Sequence, residues 1–295
     1  MMPPDQIPIE RLEQAPWCVE YRVSEQQMRD RIYDVRIPPG MQRIACVGDS
    51  FVFGEGVSLA DCLPRRIEKE LGHGFQVMNL GRPGHHSRQN VVRLVWALGR
   101  FECRRALVVF VPNDIEQTSR MAKRQAYIND LVLIREQNWQ RHQARAWYAG
   151  GPRLLDVVGS RLAMRSIRNE TIQWYRDLYS TQHNAGGLEM LAQQLSRLAT
   201  MSSCRVALVL YPLMDGFERG YPLAEVHARV AGMARQAGIP VLDLAVVFAG
   251  SDTESQQVHP ADHHPNSRAH GIAAGAMVAW LRAELPDFLE IDATE

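Results

Sequence analysis

The sequence predicts an α/β sandwich around a parallel sheet, and three observations lead there. Short, unbroken apolar runs rich in Val, Ile and Leu recur along the chain, as in strands buried on both faces. Stretches with helical period separate them. The two kinds alternate, a pattern that builds right-handed strand–helix–strand crossovers rather than hairpins.

Taken in order, residues 1–42 read as an N-terminal arm, with VEYRVSEQQMRDRIYDVRIPPG laid on the sheet ahead of its first strand. The main domain is expected over 43–295. Its strands are RIACVG (43–48), QVMNLG (76–81), RALVVFVP (105–112), RVALVLYP (205–212) and IPVLDLA (239–245). PRRIEKELG (64–72) reads as a helix ending at Gly72, a C-cap residue. RQNVVRLVWALGRF (88–101) sets Val91, Leu94, Val95 and Leu98 on one helical face. LAEVHARVAGMARQAG (223–238) and SRAHGIAAGAMVAWLRAEL (267–285) follow the same rule. Residues 117–200 break the rhythm: they hold no convincing strand, a Gly-Gly-Pro turn at 150–152, and helical patches in RLLDVVGSRLAM and TIQWYRDLYS. This stretch is expected to be a helical insertion, either a cap over the site or a surface appendage.

Composition narrows the class. Apolar residues make up 46% of the 295 and charged residues 22%, ordinary for a globular chain with a sizeable core. The 33 basic and 33 acidic residues balance, so neither nucleic acid nor an anionic membrane is an expected partner. The start, MMPPDQIPIERLEQ, lacks a basic stretch followed by an apolar one, and no apolar run is long enough to span a bilayer. Five scattered cysteines without C-x-x-C spacing read as reduced packing residues. Together these predict a soluble, cytoplasmic protein.

The chemistry concentrates where strands end. IACVGDSFVFGEGV (44–57) sets Ser50 just after the first strand, between glycines. It is not a phosphate loop, because Glu55 follows Gly54 where a Walker loop needs Lys, and Leu59 stands where a dinucleotide fingerprint needs its third glycine. NLGRPGHHSRQ (79–89) offers the Gly84 N–H, VPNDIE (111–116) the Asn113 amide, and VHPADHHPNSRAHG (258–271) a carboxylate and imidazoles. A serine hydroxyl needs a base to take its proton, a carboxylate to orient that base, and fixed donors for the oxyanion that forms. Ser50, His264, Asp262, Gly84 and Asn113 fill those roles. Each has a plain structural role as well: Asp262 as an Asx-turn former, Asn113 as a helix cap, and Gly84 as a positive-φ residue. The same holds for Asn266 as a helix N-cap. Asp49 is read as bracing the turn around Ser50, Asp114 as accepting from nearby backbone N–H groups, and Asp243 as structural.

In this order the four pieces resemble the SGNH hydrolases, also called GDSL esterases and lipases, with RIACVGDSFVFGEGV and DHHPNSRAHGIAA as the most specific parts. The resemblance runs from about residue 20 to 285. It implies a flavodoxin-like five-stranded sheet between helices, Ser50 as nucleophile, His264 as general base and Asp262 as its orienting acid. It further implies an oxyanion hole made by the N–H groups of Ser50 and Gly84 and the Asn113 amide. His264 is preferred to its neighbours because Pro265-Asn266 follow it, as in the family. Two departures stand out. The acid and base are spaced Asp262-His263-His264 rather than Asp-x-x-His, so a Ser50–His264 dyad oriented by a backbone carbonyl is the alternative. Pro112 precedes Asn113 where glycine is common.

The expected activity is hydrolysis of a small soluble ester, acetyl or short acyl, through an acyl-Ser50 intermediate, with no cofactor. An acyltransferase using the same triad is the near alternative. A metal-binding or catalytically silent module is the distant one, since His259, Asp262, His263, His264, His85 and His86 crowd together without a familiar ligand spacing. No metal is expected. Trp139, Trp147, Tyr148, Trp174 and Tyr175 are candidates to line an acyl or sugar pocket, with plain packing as the other reading.

Overall fold

A computed structural model describes residues 19–126, 168–259 and 262–290. Five strands, β1 (Gln42–Val47), β2 (Phe75–Asn79), β3 (Arg105–Phe110), β4 (Arg205–Leu210) and β5 (Val241–Asp243), pair in parallel in the order β2-β1-β3-β4-β5. β1 and β3 are buried along their whole length, which is why, past the buried Gln42, Arg43 and Arg105 at their starts, they are apolar without alternation.

Helices cover both faces. α1 (Ser50–Phe53) is a single turn after β1; α2 (Leu63–Leu71), α3 (Ser87–Arg100), α4 (Thr181–Ala199), α5 (Ala224–Gln236), α6 (Ser267–Glu284) and α7 (Pro286–Leu289) follow. α2 packs with α6 on one face, whereas α4 contacts both α3 and α5 on the other. The reason is handedness: the chain moves outward from β1 to β2, then back across to β3, β4 and β5. A right-handed crossover puts its helix on opposite faces for opposite directions. The result is a three-layer α/β/α sandwich of flavodoxin-like order, as the sequence predicts.

Each expected strand, and each helix expected outside residues 117–200, is found within a few residues of its expected bounds. Thr181–Ala199 forms part of the helical layer, burying Leu188, Leu191, Leu195 and Leu198 in the core. The stretch expected as an insertion thus ends in the crossover helix to β4. Residues 171–178 are helical, as the TIQWYRDLYS pattern implies. The Gly-Gly-Pro turn, RLLDVVGSRLAM, Trp139, Trp147 and Tyr148 lie outside the described residues. Of the first 42 residues, those described sit on the domain, with Met28 and Tyr33 buried in its core. A two-stranded antiparallel hairpin, β6 (Gln257–His259) with β7 (Asp262–Pro265), precedes α6 and has no counterpart in the sequence reading.

Candidate active site

In this strand order β1 and β3 leave their common centre in opposite directions, so their carboxyl ends open a crevice. Ser50 follows β1 and Asn113 follows β3; the hairpin brings His264 and Asp262 over the same edge.

Ser50 opens α1 and is 7% exposed. Asp49 caps that turn, its Oδ1 accepting from the Phe51 N–H at 2.9 Å. Gly54 ends it in a left-handed conformation (φ 85°), returning its N–H to the Ser50 carbonyl at 2.9 Å. The turn is pressed against the chain after β2: a Cβ on Gly81 would stand 2.1 Å from the Phe53 nitrogen. From the other side the buried Arg29 guanidinium donates to the carbonyls of Phe53 (2.9 Å), Gly54 (2.5 Å) and Val57 (2.6 Å). A one-turn helix has almost no stability of its own. This one is held by its surroundings.

His264 Nε2 lies 2.8 Å from Ser50 Oγ, and its Nδ1 lies 2.6 Å from Asp262 Oδ1. The short Asp-His-His spacing works because β7 is extended. Side chains two apart share one face of a strand, so Asp262 and His264 point together while His263 points away. The same Asp262 oxygen accepts the His264 backbone N–H at 2.9 Å, so the Asx-turn role and the partnership with the ring coexist. With Nδ1–H given to Asp262, the Nε2 lone pair faces the serine hydroxyl. Asn266 caps α6 by accepting from the Ala269 N–H, and its amide donates to the carbonyls of Ser255 and Gln257, both at 3.0 Å. One side chain therefore fixes the hairpin to the helix behind it.

Charge around the ring is one-sided. Burial works against the imidazolium, but the Asp262 charge and hydrogen bond, with Glu55 and Asp49, outweigh it and raise His264 to about 9. Burial likewise opposes the Asp262 carboxylate, and His264 together with the backbone N–H holds it down at about 2. Glu55 had no role in the sequence reading; its Oε2 stands 3.7 Å from His264 Nε2, on the side of the serine. Its place follows from the end of α1, where its N–H bonds to the Ser50 carbonyl at 3.1 Å.

The other two blocks are tied to one another. The Asn113 amide donates to Asp49 Oδ2 at 3.1 Å, which brings it beside the serine turn. His86 Nδ1 meets the Asn113 carbonyl at 3.1 Å, and Glu116 accepts from Ser87 Oγ and the Arg88 N–H, both at 2.6 Å, at the start of α3. Asn184 donates to the Glu116 carbonyl at 2.9 Å and Tyr179 to the Pro112 carbonyl at 2.9 Å, so the segment before β4 braces the Asn113 loop. Gly84 has φ 75° and open space at its Cβ position, leaving a bare turn at the crevice edge. Asp49 is wholly buried, and burial raises its pKa against the pull of its hydrogen-bond donors. Asp114 goes well above the usual range, through burial and then the Asp49 charge, while its Oδ2 accepts the Val111 N–H at 3.1 Å. Asp243 accepts from the Ala245 N–H and pairs with His227, consistent with its expected structural role.

Several solved structures are similar to this chain. One is an esterase of two domains active on acetylated mannans (17% identity, TM-score 0.44); 86% of this chain is covered, spanning about half (51%) of that one. Another is an aryl esterase from M. smegmatis in an inhibitor-bound form (15%, TM-score 0.42, 83% of this chain and 100% of that one). A third is a member of the lipolytic G-D-S-L family from Veillonella parvula (15%, TM-score 0.45, 83% and 100%). No family model and no curated protein matches the chain. At these values none of the three assigns an activity here.

Among the described residues no three His, Cys, Asp or Glu side chains are grouped to hold a metal ion. No described helix is long and apolar enough to cross a membrane. Trp174 is buried in the core against Tyr175 (ring centroids 4.6 Å apart), as in the packing reading. Tyr175 itself lines a narrow cleft with Thr171, Leu213, Asp215, Tyr221 and His263.

Proposed function

We propose that this protein is a serine ester hydrolase of the SGNH type, working through an acyl-Ser50 intermediate on a small soluble ester. The observation behind it is the continuous contact from Ser50 Oγ through the His264 ring to Asp262 at 2.8 and 2.6 Å. In this reading neutral His264 takes the Ser50 proton as Oγ attacks the ester carbonyl, and Asp262 stabilises the imidazolium that forms. The imidazolium returns the proton to the leaving alcohol. A water then attacks the acyl carbon, losing its proton to the same ring, and the ring passes that proton to Ser50 Oγ as the acyl–oxygen bond breaks and the acid leaves. The tetrahedral oxyanion takes donors from the N–H groups of Ser50 and Gly84 and from the Asn113 amide, which must turn from Asp49 to reach it. An acyltransferase would differ only in the acceptor, an alcohol replacing water in the second half.

The first test is incubation with a fluorophosphonate, read by intact mass beside Ser50→Ala. One adduct on the wild type and none on the variant is the expected result. A folded wild type that takes no adduct would rule the nucleophile out.

A further inference from the structure

Two arginines beside the Gly84 turn have no acidic partner among the described residues. Arg82 donates to the carbonyl and the side-chain oxygen of Gln27 at 3.3 and 3.1 Å. Arg93, on α3, donates to that same carbonyl and lies 4.4 Å over the Trp96 ring; its Nε is buried without a partner. One neutral amide residue cannot compensate two cations. Burial, and then the Arg82 charge, pull Arg93 down to about 10. His85 shares this environment: burial, followed by both arginines, lowers it to about 4, so its ring is neutral at pH 7. Its Nδ1 is also buried without a partner.

The turn holding these groups is anchored at the crevice. The Arg82 N–H donates to the Gly48 carbonyl at 3.0 Å, two residues before Ser50, and the His85 N–H closes the turn on the Arg82 carbonyl at 3.2 Å across Gly84. If the arginines served only to tether the arm at Gln27, one guanidinium would suffice. The second makes the tether worse by like-charge repulsion.

We propose that Arg82, Arg93 and His85 form a subsite for an anionic group, a carboxylate or a phosphate, carried by the substrate next to Gly84. Guanidinium forks match the paired oxygens of both groups, and an anion there would neutralise the charges that now repel one another. The His85 ring, which also meets the Asn90 side chain, walls the same spot. Calling the anion part of the substrate rests on the ester reading above; its binding does not.

The test has two arms. First, inorganic phosphate is titrated into the full chain, with calorimetry and the His85 ring resonances as readouts, in wild type, Arg82→Gln and Arg93→Gln. Saturable binding is expected, with the His85 pKa raised by the bound anion and affinity at least about tenfold weaker in either variant, as for loss of one charge-assisted pair. Second, hydrolysis of phenyl acetate is compared with that of its carboxylate-bearing counterpart, 4-acetoxybenzoate. The ratio of rates should favour the anionic ester and fall about tenfold in each variant. No phosphate binding to the wild type, equal binding in all three proteins, or no preference for the anionic ester would overturn the proposal. Phosphate bound and lost as expected with neither ester turned over would leave the anion site standing and count against the ester reading.

Discussion

Three carboxylates surround the imidazole of His264, and in the proposed reaction each would act on a different part of its cycle. Asp262 fixes the tautomer from the Nδ1 side, Asp49 holds the serine turn, and Glu55 faces Nε2, where the proton must come and go. Their sum has a cost, because a ring raised to about 9 is mostly protonated at neutral pH and then takes nothing from Ser50. kcat/KM on a neutral ester should therefore climb with pH and level off only above about 9. Glu55→Gln removes one anion from the Nε2 side, so the midpoint should move down by roughly half a unit to one unit, with higher activity at pH 7. A pH profile of the variant that overlays the wild type would exclude Glu55 from this role. If Asn113 serves the oxyanion as proposed, its loss should separate binding from chemistry. Asn113→Ala should lower kcat by about 100- to 1,000-fold with KM little changed, because the oxyanion exists only after attack. Equal losses in both parameters would mean that the amide binds ground-state ester instead.

The elements that hold these side chains are short, and their stability is borrowed. α1 has four residues and hangs from Arg29, whose guanidinium satisfies three carbonyls from within the core. Arg29→Met keeps the bulk but removes the donor to the Val57 carbonyl and leaves the Phe53 and Gly54 carbonyls only the longer bonds from the Asn79 amide and the Val57 N–H, both 3.3 Å, so it should cost about 3 kcal/mol. Thermal unfolding should read this as a Tm roughly 5–10 °C lower, and fluorophosphonate labelling should slow as Ser50 loses its orientation. A Tm within a degree or two of wild type would show that the turn holds without its clamp. What could be read from the sequence divides along the same line. β1, β3, β4 and the long helices were legible because burial on both faces, or on one face, leaves a local hydrophobic pattern. That Ser50, His264 and Asp262 would meet, with Asn113 beside the serine turn, was legible because all of them stand in polar segments that follow apolar strands. The β6–β7 hairpin was not: strands of three and four residues reading QVH and DHHP have no alternation to detect. Nor were the parts played by Arg29 and Glu55. Their partners are backbone carbonyls and a ring more than twenty residues away, and no local pattern marks a contact of that kind.

Across the whole molecule the site is a consequence of sheet order, and its charges enter the stability of the fold. The crevice exists because the chain turns back after β2, and the anion–cation pair at its mouth is only partly screened by water. The linkage can be worked out group by group. His264 is raised from 6.5 to about 9, so its contribution to stability is complete below 6.5 and disappears as pH climbs through 9. Asp262 is lowered from 3.8 to about 2, so its contribution is present above 3.8 and disappears as pH falls through 2. Both shifts describe one interaction, worth about 3 kcal/mol when counted once. It is whole only between these limits, and its loss on the alkaline side coincides with the gain of the neutral ring that the proposed mechanism would use as its base. Buried Asp49 and Asp114 titrate upward as well, so the wild-type curve alone mixes several groups. Asp262→Asn isolates the pair. Tm measured from pH 6 to 10 should fall across the window in the wild type and stay nearly flat in the variant, the two curves converging above pH 9. Parallel curves throughout would mean that the folded protein already holds His264 neutral at pH 7, and the alkaline activity profile would then have to come from another group.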